Sequence, residues 1–134
     1  MISYNSPSIT NSDINEVIKV LKTKWITQGK YIDKFENSLK KKFASKYAVA
    51  VSSGTAALHL AGIALGWKKN DVILVSNITF LATANSVLYN KARLDFVDIN
   101  KDNYNIDLSS LELKIRKYRR KKINVKAVIA TDYA

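Results

Sequence analysis

The sequence predicts an α/β fold: a mostly parallel sheet with flanking helices. Three observations carry that expectation. Short β-branched runs at 47–52, 72–75, 93–97 and 125–130 alternate with stretches whose apolar residues recur at helical spacing. The intervals between runs suit helical crossovers, which parallel strands require. The first run also ends in Ser52-Ser53-Gly54-Thr55, which opens an alanine- and leucine-rich helix.

Taken in order, 1–9 is an irregular arm holding the only proline, Pro7. Thr10 and Asp13 have capping-box spacing, and Ile14, Val17, Ile18 and Leu21 then mark one helical face. The segment 25–30, Trp-Ile-Thr-Gln-Gly-Lys, interrupts that pattern as a loop. Ile32, Phe35, Leu39 and Phe43 stripe a second helix, whose end carries Lys40, Lys41 and Lys42, where cations suit the dipole. Strands are expected at Tyr47–Ser52, Val72–Val75, Arg93–Val97 and Val125–Ala130. Helices are expected at Thr55–Leu65, Phe80–Asn90 and Leu108–Tyr118, with Asp107 capping the last. Residues 1–45 thus supply an arm and two helices, and 46–134 begin an α/β layer, together one incomplete domain. The chain stops at Ala134, directly after the fourth expected strand, and a strand left uncovered there reads as a truncated sheet.

A length of 134 residues fits one core, and 10% aromatic content fits a folded protein. No apolar run is long enough to span a bilayer, no signal-peptide pattern opens the chain, and no membrane partner is expected. The absence of cysteine excludes disulfides and thiolate metal sites and is compatible with a cytoplasmic location. The net charge of +11 is largely local, since Lys114, Arg116, Lys117, Arg119, Arg120, Lys121, Lys122 and Lys126 supply 8 positive charges. That run reads as a solvated face. No aromatic-interleaved groove accompanies it, so a nucleic-acid partner ranks last. Asp98, Asp102 and Asp107 read as turn and cap acids, and no metal site is expected. His59 lies on an Ala/Leu-rich helix and reads as a packed or half-exposed residue.

The chemistry concentrates where strands end. In a parallel sheet, sites gather beyond the carboxyl ends, which here carry Ser52–Thr55, Ser76–Phe80, Asp98 and 131–133. At Gly54 a helix begins with unpaired amides and the positive end of its dipole, beside three hydroxyls, which together make a socket for a phosphate. The same turn could simply cap the helix. Phe80 alone reads as a core residue, Trp25 as a packing anchor and Tyr4 as an arm residue.

In order along the chain, Lys24-x-x-Thr27-Gln28-Gly29-Lys30, Phe35-Glu36, Ser52-Ser53-Gly54-Thr55-Ala56-Ala57-Leu58, Thr79-Phe80-x-Ala82-Thr83-Ala84-Asn85 and Asp132-Tyr133-Ala134 form an ordered set. The set resembles the DegT/DnrJ/EryC1/StrS family of nucleotide-sugar aminotransferases. The resemblance implies the N-terminal part of the large domain of a fold-type-I aminotransferase dependent on pyridoxal phosphate. It implies that Gly54, Thr55 and Ala56 hold the cofactor phosphate, that Phe80 stacks on the pyridine ring, and that Asp132 lies near the cofactor. Tyr4, Lys24, Trp25, Ile26 and Thr27 match the arm and loop that contact the substrate.

The implied partners are a UDP-linked 4-keto deoxy-sugar and an amino-acid donor, typically glutamate, used in surface-glycan or flagellin glycosylation, with a homodimer as the full-length assembly. In the family, the lysine that forms a Schiff base and the acid that keeps the pyridine nitrogen protonated come later, in motifs that these 134 residues do not contain. The chain alone is therefore expected to be catalytically inactive. The alternative is a non-catalytic, Rossmann-like module that binds a nucleotide phosphate, although the turn lacks both Gly-x-Gly-x-x-Gly and Gly-x-x-x-x-Gly-Lys-Ser/Thr.

Overall fold

A computed structural model describes residues 6–133. In chain order its elements are α1 (Asn11–Leu21), α2 (Lys30–Lys42), α3 (Gly54–Ala64), β1 (Val72–Ser76), α4 (Leu81–Tyr89), β2 (Arg93–Val97), α5 (Leu108–Arg120) and β3 (Val125–Ile129). The chain divides into two compact units, Met1–Ala50 and Val51–Ala134.

In the first unit, the expected capping box forms at α1: Asp13 N–H donates to Thr10 Oγ1 at 3.3 Å, and Thr10 N–H donates to Asp13 Oδ2 at 2.7 Å. Two successive residues with positive φ, Gln28 at 58° and Gly29 at 97°, turn the chain into α2. A glycine suits the second, because φ of 97° is a conformation that a Cβ disfavours. Further along α2, Glu36 Oε1 accepts the Ala50 amide at 2.8 Å, tying the helix to the end of its unit. Neither α1 nor α2 has a buried residue.

The second unit is built around β1. Its three parallel strands run in the order β2-β1-β3, so β1 lies in the centre and all five of its residues are buried. A continuous Val-Ile-Leu-Val run suits a strand covered on both faces. On one face Ile73 and Val75 pack with Trp67, Val87 and Ala92. On the other, Val72, Leu74 and Val97 meet Ile106, Leu111, Tyr118 and Ile123. Helix α4 thus serves one side and α5 the other, the α/β layering expected from the alternation.

One expected strand is absent. Residues 47–52 pair with no other strand among the described residues, and Tyr47 and Val49 remain about three-quarters exposed. Alternation sets which side chains share a face, but a strand exists only where a neighbour completes its hydrogen-bond ladder. Two smaller differences follow from caps. Phe80 stands outside α4 as its N-cap, and α5 continues to Arg120.

Candidate functional site

The start of α3 is built by Ser53. This residue is extended (φ −163°, ψ 163°), and its Oγ accepts the Ala56 amide at 3.2 Å, while its carbonyl accepts the Ala57 amide at 3.0 Å. Two first-turn donors remain: the amides of Gly54 and Thr55 have no partner among the described residues. Of the three residues expected to cradle a phosphate, the structure therefore offers two free amides and gives the third to Ser53.

Nothing among the described residues requires a glycine at position 54: a Cβ built on it meets none of their atoms within 4 Å, and its φ lies outside the range that favours glycine. It stands in the first turn of α3, whose two unpaired donors lie at the positive end of the helix.

Because the strands are parallel, their carboxyl ends share one edge of the sheet, and several side chains connect there. Asn77 Nδ2 donates to Asp98 Oδ1 at 2.9 Å, joining the ends of β1 and β2. Thr131 Oγ1, beyond β3, donates to Thr79 Oγ1 at 2.8 Å, and Thr79 Oγ1 donates to Thr83 Oγ1 at 2.9 Å. Phe80, 77% exposed, follows Thr79, and the exposed Asp132 follows Thr131. The Thr79–Thr131 bond thus joins the segments that carry Phe80 and Asp132. This hydroxyl network was not anticipated, since nothing in the sequence pairs two threonines 52 positions apart.

The expected substrate loop lies in the first unit. Thr23 Oγ1 shapes it, donating to Val20 O at 2.7 Å and accepting from Trp25 N–H at 3.3 Å. Trp25, itself 75% exposed, lines a hollow of about 460 Å³ with Thr23, Gln28, Gly29, Lys30 and Tyr31. Lys24, Ile26 and Thr27 are exposed and do not line it. Tyr4 lies outside the described residues.

A polar cluster elsewhere has a structural role. Asp95 on β2 accepts from Lys114 Nζ and from Tyr118 OH of α5, each at 2.8 Å. Burial pushes the Asp95 carboxyl up, but the Lys114 and Tyr118 hydrogen bonds outweigh it and hold the group below its ordinary range. Burial, then the Asp95 hydrogen bond, pushes the Tyr118 hydroxyl up. In the basic run, Lys114 is thus paired, and Arg116 Nη2 lies 2.6 Å from Glu112. His59 is half-buried, its ring edge-on to Tyr89 at 5.5 Å. Among the described residues, no group of three His, Cys, Asp or Glu could hold a metal ion, and no helix is long and apolar enough to cross a membrane.

The chain is similar to known proteins in sequence and in backbone. A transaminase of UDP-4-amino-4,6-dideoxy-N-acetyl-beta-L-altrosamine from Campylobacter jejuni (strain 81-176) is 42% identical over 117 residues, 87% of this chain and 31% of that protein. GDP-perosamine synthase of Escherichia coli O157:H7 is 38% identical, over 85% of this chain and 32% of its own. Among solved structures, an E. coli GDP-4-keto-6-deoxy-D-mannose-3-dehydratase with bound hydrated PLP superposes with a TM-score of 0.75 at 34% identity. That match covers 81% of this chain and 29% of the enzyme. A Brucella abortus DegT DnrJ EryC1 StrS aminotransferase gives a TM-score of 0.75 at 27% identity, covering 90% of this chain and 32% of that one. The chain spans about a third of the length of the curated relatives it matches. With residues 7–134 matching the family as a whole, the chain belongs to the DegT/DnrJ/EryC1/StrS aminotransferase family.

Proposed function

We propose that this chain supplies the phosphate cradle, the stacking ring and part of the substrate loop of a nucleotide-sugar aminotransferase that uses pyridoxal phosphate. The observation that carries the reading is Gly54, a glycine that neither backbone nor packing among the described residues requires, at a helix start whose Gly54 and Thr55 amides are unpaired among those residues. A phosphate fits there, because a dianion gains both donors and the positive end of the dipole. Thr55 adds a hydroxyl to the Gly54 and Thr55 amides, and Ala56 contributes its amide where the Ser53 hydroxyl yields it.

Phe80 presents an exposed ring suited to the face of a flat heteroaromatic cofactor. Asp132 places a carboxylate on the adjacent strand end. Lys24, Trp25, Ile26 and Thr27, together with Tyr4 from the arm, contact the sugar nucleotide, with Trp25 forming one wall of the hollow. When bound, the cofactor supplies an electron sink. The chain's own residues hold its phosphate, cover one ring face and position the sugar.

The complete protein moves an amino group, from glutamate, to the 4-keto carbon of a UDP-linked deoxy-sugar for surface glycans or flagellin, and does so as a cytoplasmic homodimer. Amino transfer is favoured over dehydration because the curated relatives include transaminases of 4-amino sugars.

Titration of the chain with pyridoxal phosphate, followed by amide NMR, tests the cradle. The Gly54 and Thr55 amides should shift, UDP should shift them less, and Gly54→Val should abolish the response while leaving the melting temperature unchanged. Stronger shifts with UDP at Gly54 would favour the nucleotide-phosphate module instead. An unchanged response in Gly54→Val would remove the cradle.

A further inference from the structure

We infer that Thr79 is a positioning residue that holds Phe80 in place, by tying the segment before α4 both to the first turn of that helix and to the end of β3. Phe80 is the N-cap of α4 in an extended conformation (φ −69°, ψ 141°), and it makes no side-chain cap bond. Ser, Thr, Asp and Asn are favoured at that position because their oxygens accept a first-turn amide; a phenyl ring cannot. The ring is not recruited to the core either, being 77% exposed. Position 80 therefore forgoes both a cap and burial.

The residue before it anchors the segment in another way. Thr79 Oγ1 donates to Thr83 Oγ1 at 2.9 Å, crossing from just outside the helix to its first turn. It also accepts from Thr131 Oγ1 at 2.8 Å, which fastens the same point to the end of β3. A hydroxyl has one proton to give, so the three groups form a directed chain, Thr131 to Thr79 to Thr83, in which only the middle member makes both bonds. Thr83 is 8% exposed, so loss of Thr79 strands its oxygen in the interior. Thr83 N–H also donates to the Phe80 carbonyl at 2.9 Å, so the backbone of Phe80 lies between two anchored positions, Thr79 before it and Thr83 in the first turn after it.

The inference rests on the proposal that Phe80 stacks on pyridoxal phosphate, and the experiment separates the two. Thr79→Val keeps the shape and removes the hydroxyl, whereas Thr79→Ser keeps the hydroxyl. Amide hydrogen exchange at 81–84 in the ligand-free chain should quicken about tenfold in Thr79→Val and return toward the parent rate in Thr79→Ser. Pyridoxal phosphate affinity, read by NMR titration to millimolar concentration, should fall several-fold in Thr79→Val and in Phe80→Ala. The double variant should bind no more weakly than Phe80→Ala, because Thr79 acts through that ring. Thr79→Val matching the parent in exchange and affinity, or additive losses in the double variant, would overturn the positioning role alone. Phe80→Ala binding as tightly as the parent would overturn the stacking role, and this inference with it.

Discussion

Replacing Gly62 with alanine sets two known effects against each other, and the structure decides the winner. Within a helix, alanine is favoured over glycine by about 1 kcal/mol. Gly62, however, is the point where α3 meets α4 and the Trp67 ring. A Cβ there would lie 2.4 Å from Asn90 Nδ2, 2.9 Å from Asn90 Cγ and 2.6 Å from Trp67 Cε3. Asn90 can swing away only by giving up bonds from its Nδ2 to Ser86 O at 2.8 Å and His59 O at 3.2 Å, each worth about 1 kcal/mol. Trp67 has no such freedom, being 8% exposed and packed against Ile73, Val75, Val87 and Ala92. Overpacking of this kind costs about 1–3 kcal/mol. Gly62→Ala should therefore destabilise the chain by about 2 kcal/mol net of the helical gain. Because α3 must shift, the Gly54 and Thr55 amides, eight and seven positions upstream, should also bind pyridoxal phosphate less well. Urea denaturation reads the first effect as a lower midpoint at unchanged slope. Ala61→Gly, at an exposed neighbour on the same helix, serves as the control and should lose about 1 kcal/mol from propensity alone. A Gly62→Ala protein as stable as the parent, or more so, would refute the close-approach reasoning.

The Asp95 cluster makes stability depend on pH at both ends. Its carboxyl is held below the ordinary value of 3.8, so its contribution is complete above that value and is lost as pH falls through the depressed one. Tyr118 is held above its ordinary value of 10.0, so its contribution is complete below that value and is lost as pH rises through the raised one. Asp95→Ala should lower the melting temperature at neutral pH, with the deficit closing in strong acid and strong base; a deficit constant across the range would remove the cluster as its cause. Ser53→Ala should cost about 1 kcal/mol as a lost N-cap, measured by denaturation, and an unchanged midpoint would show that the Ser53–Ala56 bond contributes nothing. Trp25→Ala should change stability by less than about 0.5 kcal/mol, since the ring is exposed, yet weaken calorimetric binding of a UDP-linked sugar. Undiminished binding would take the hollow out of the substrate site.

What the sequence made legible was local. The Val72–Val75 run, the Thr10–Asp13 box and the Asp107 cap each rest on side chains within a few positions of one another, and all three formed. What stayed hidden depends on distant partners. Residues 47–52 have strand-like alternation but no ladder, and Thr131 reaches Thr79 across 52 positions only because β3 returns beside β1. Asp95 and Tyr118 meet for the same kind of reason, α5 lying over β2.

Gly54 and Phe80 belong to neither group. Both are visible in the sequence, and both sit where local rules favour something else: a glycine where a Cβ would fit freely, and an aromatic ring where a capping oxygen belongs. Packing and capping among the described residues account for neither. Departures of that sort collect where a ligand sets the requirement, and here they fall on the two positions that a phosphate and a flat ring would need.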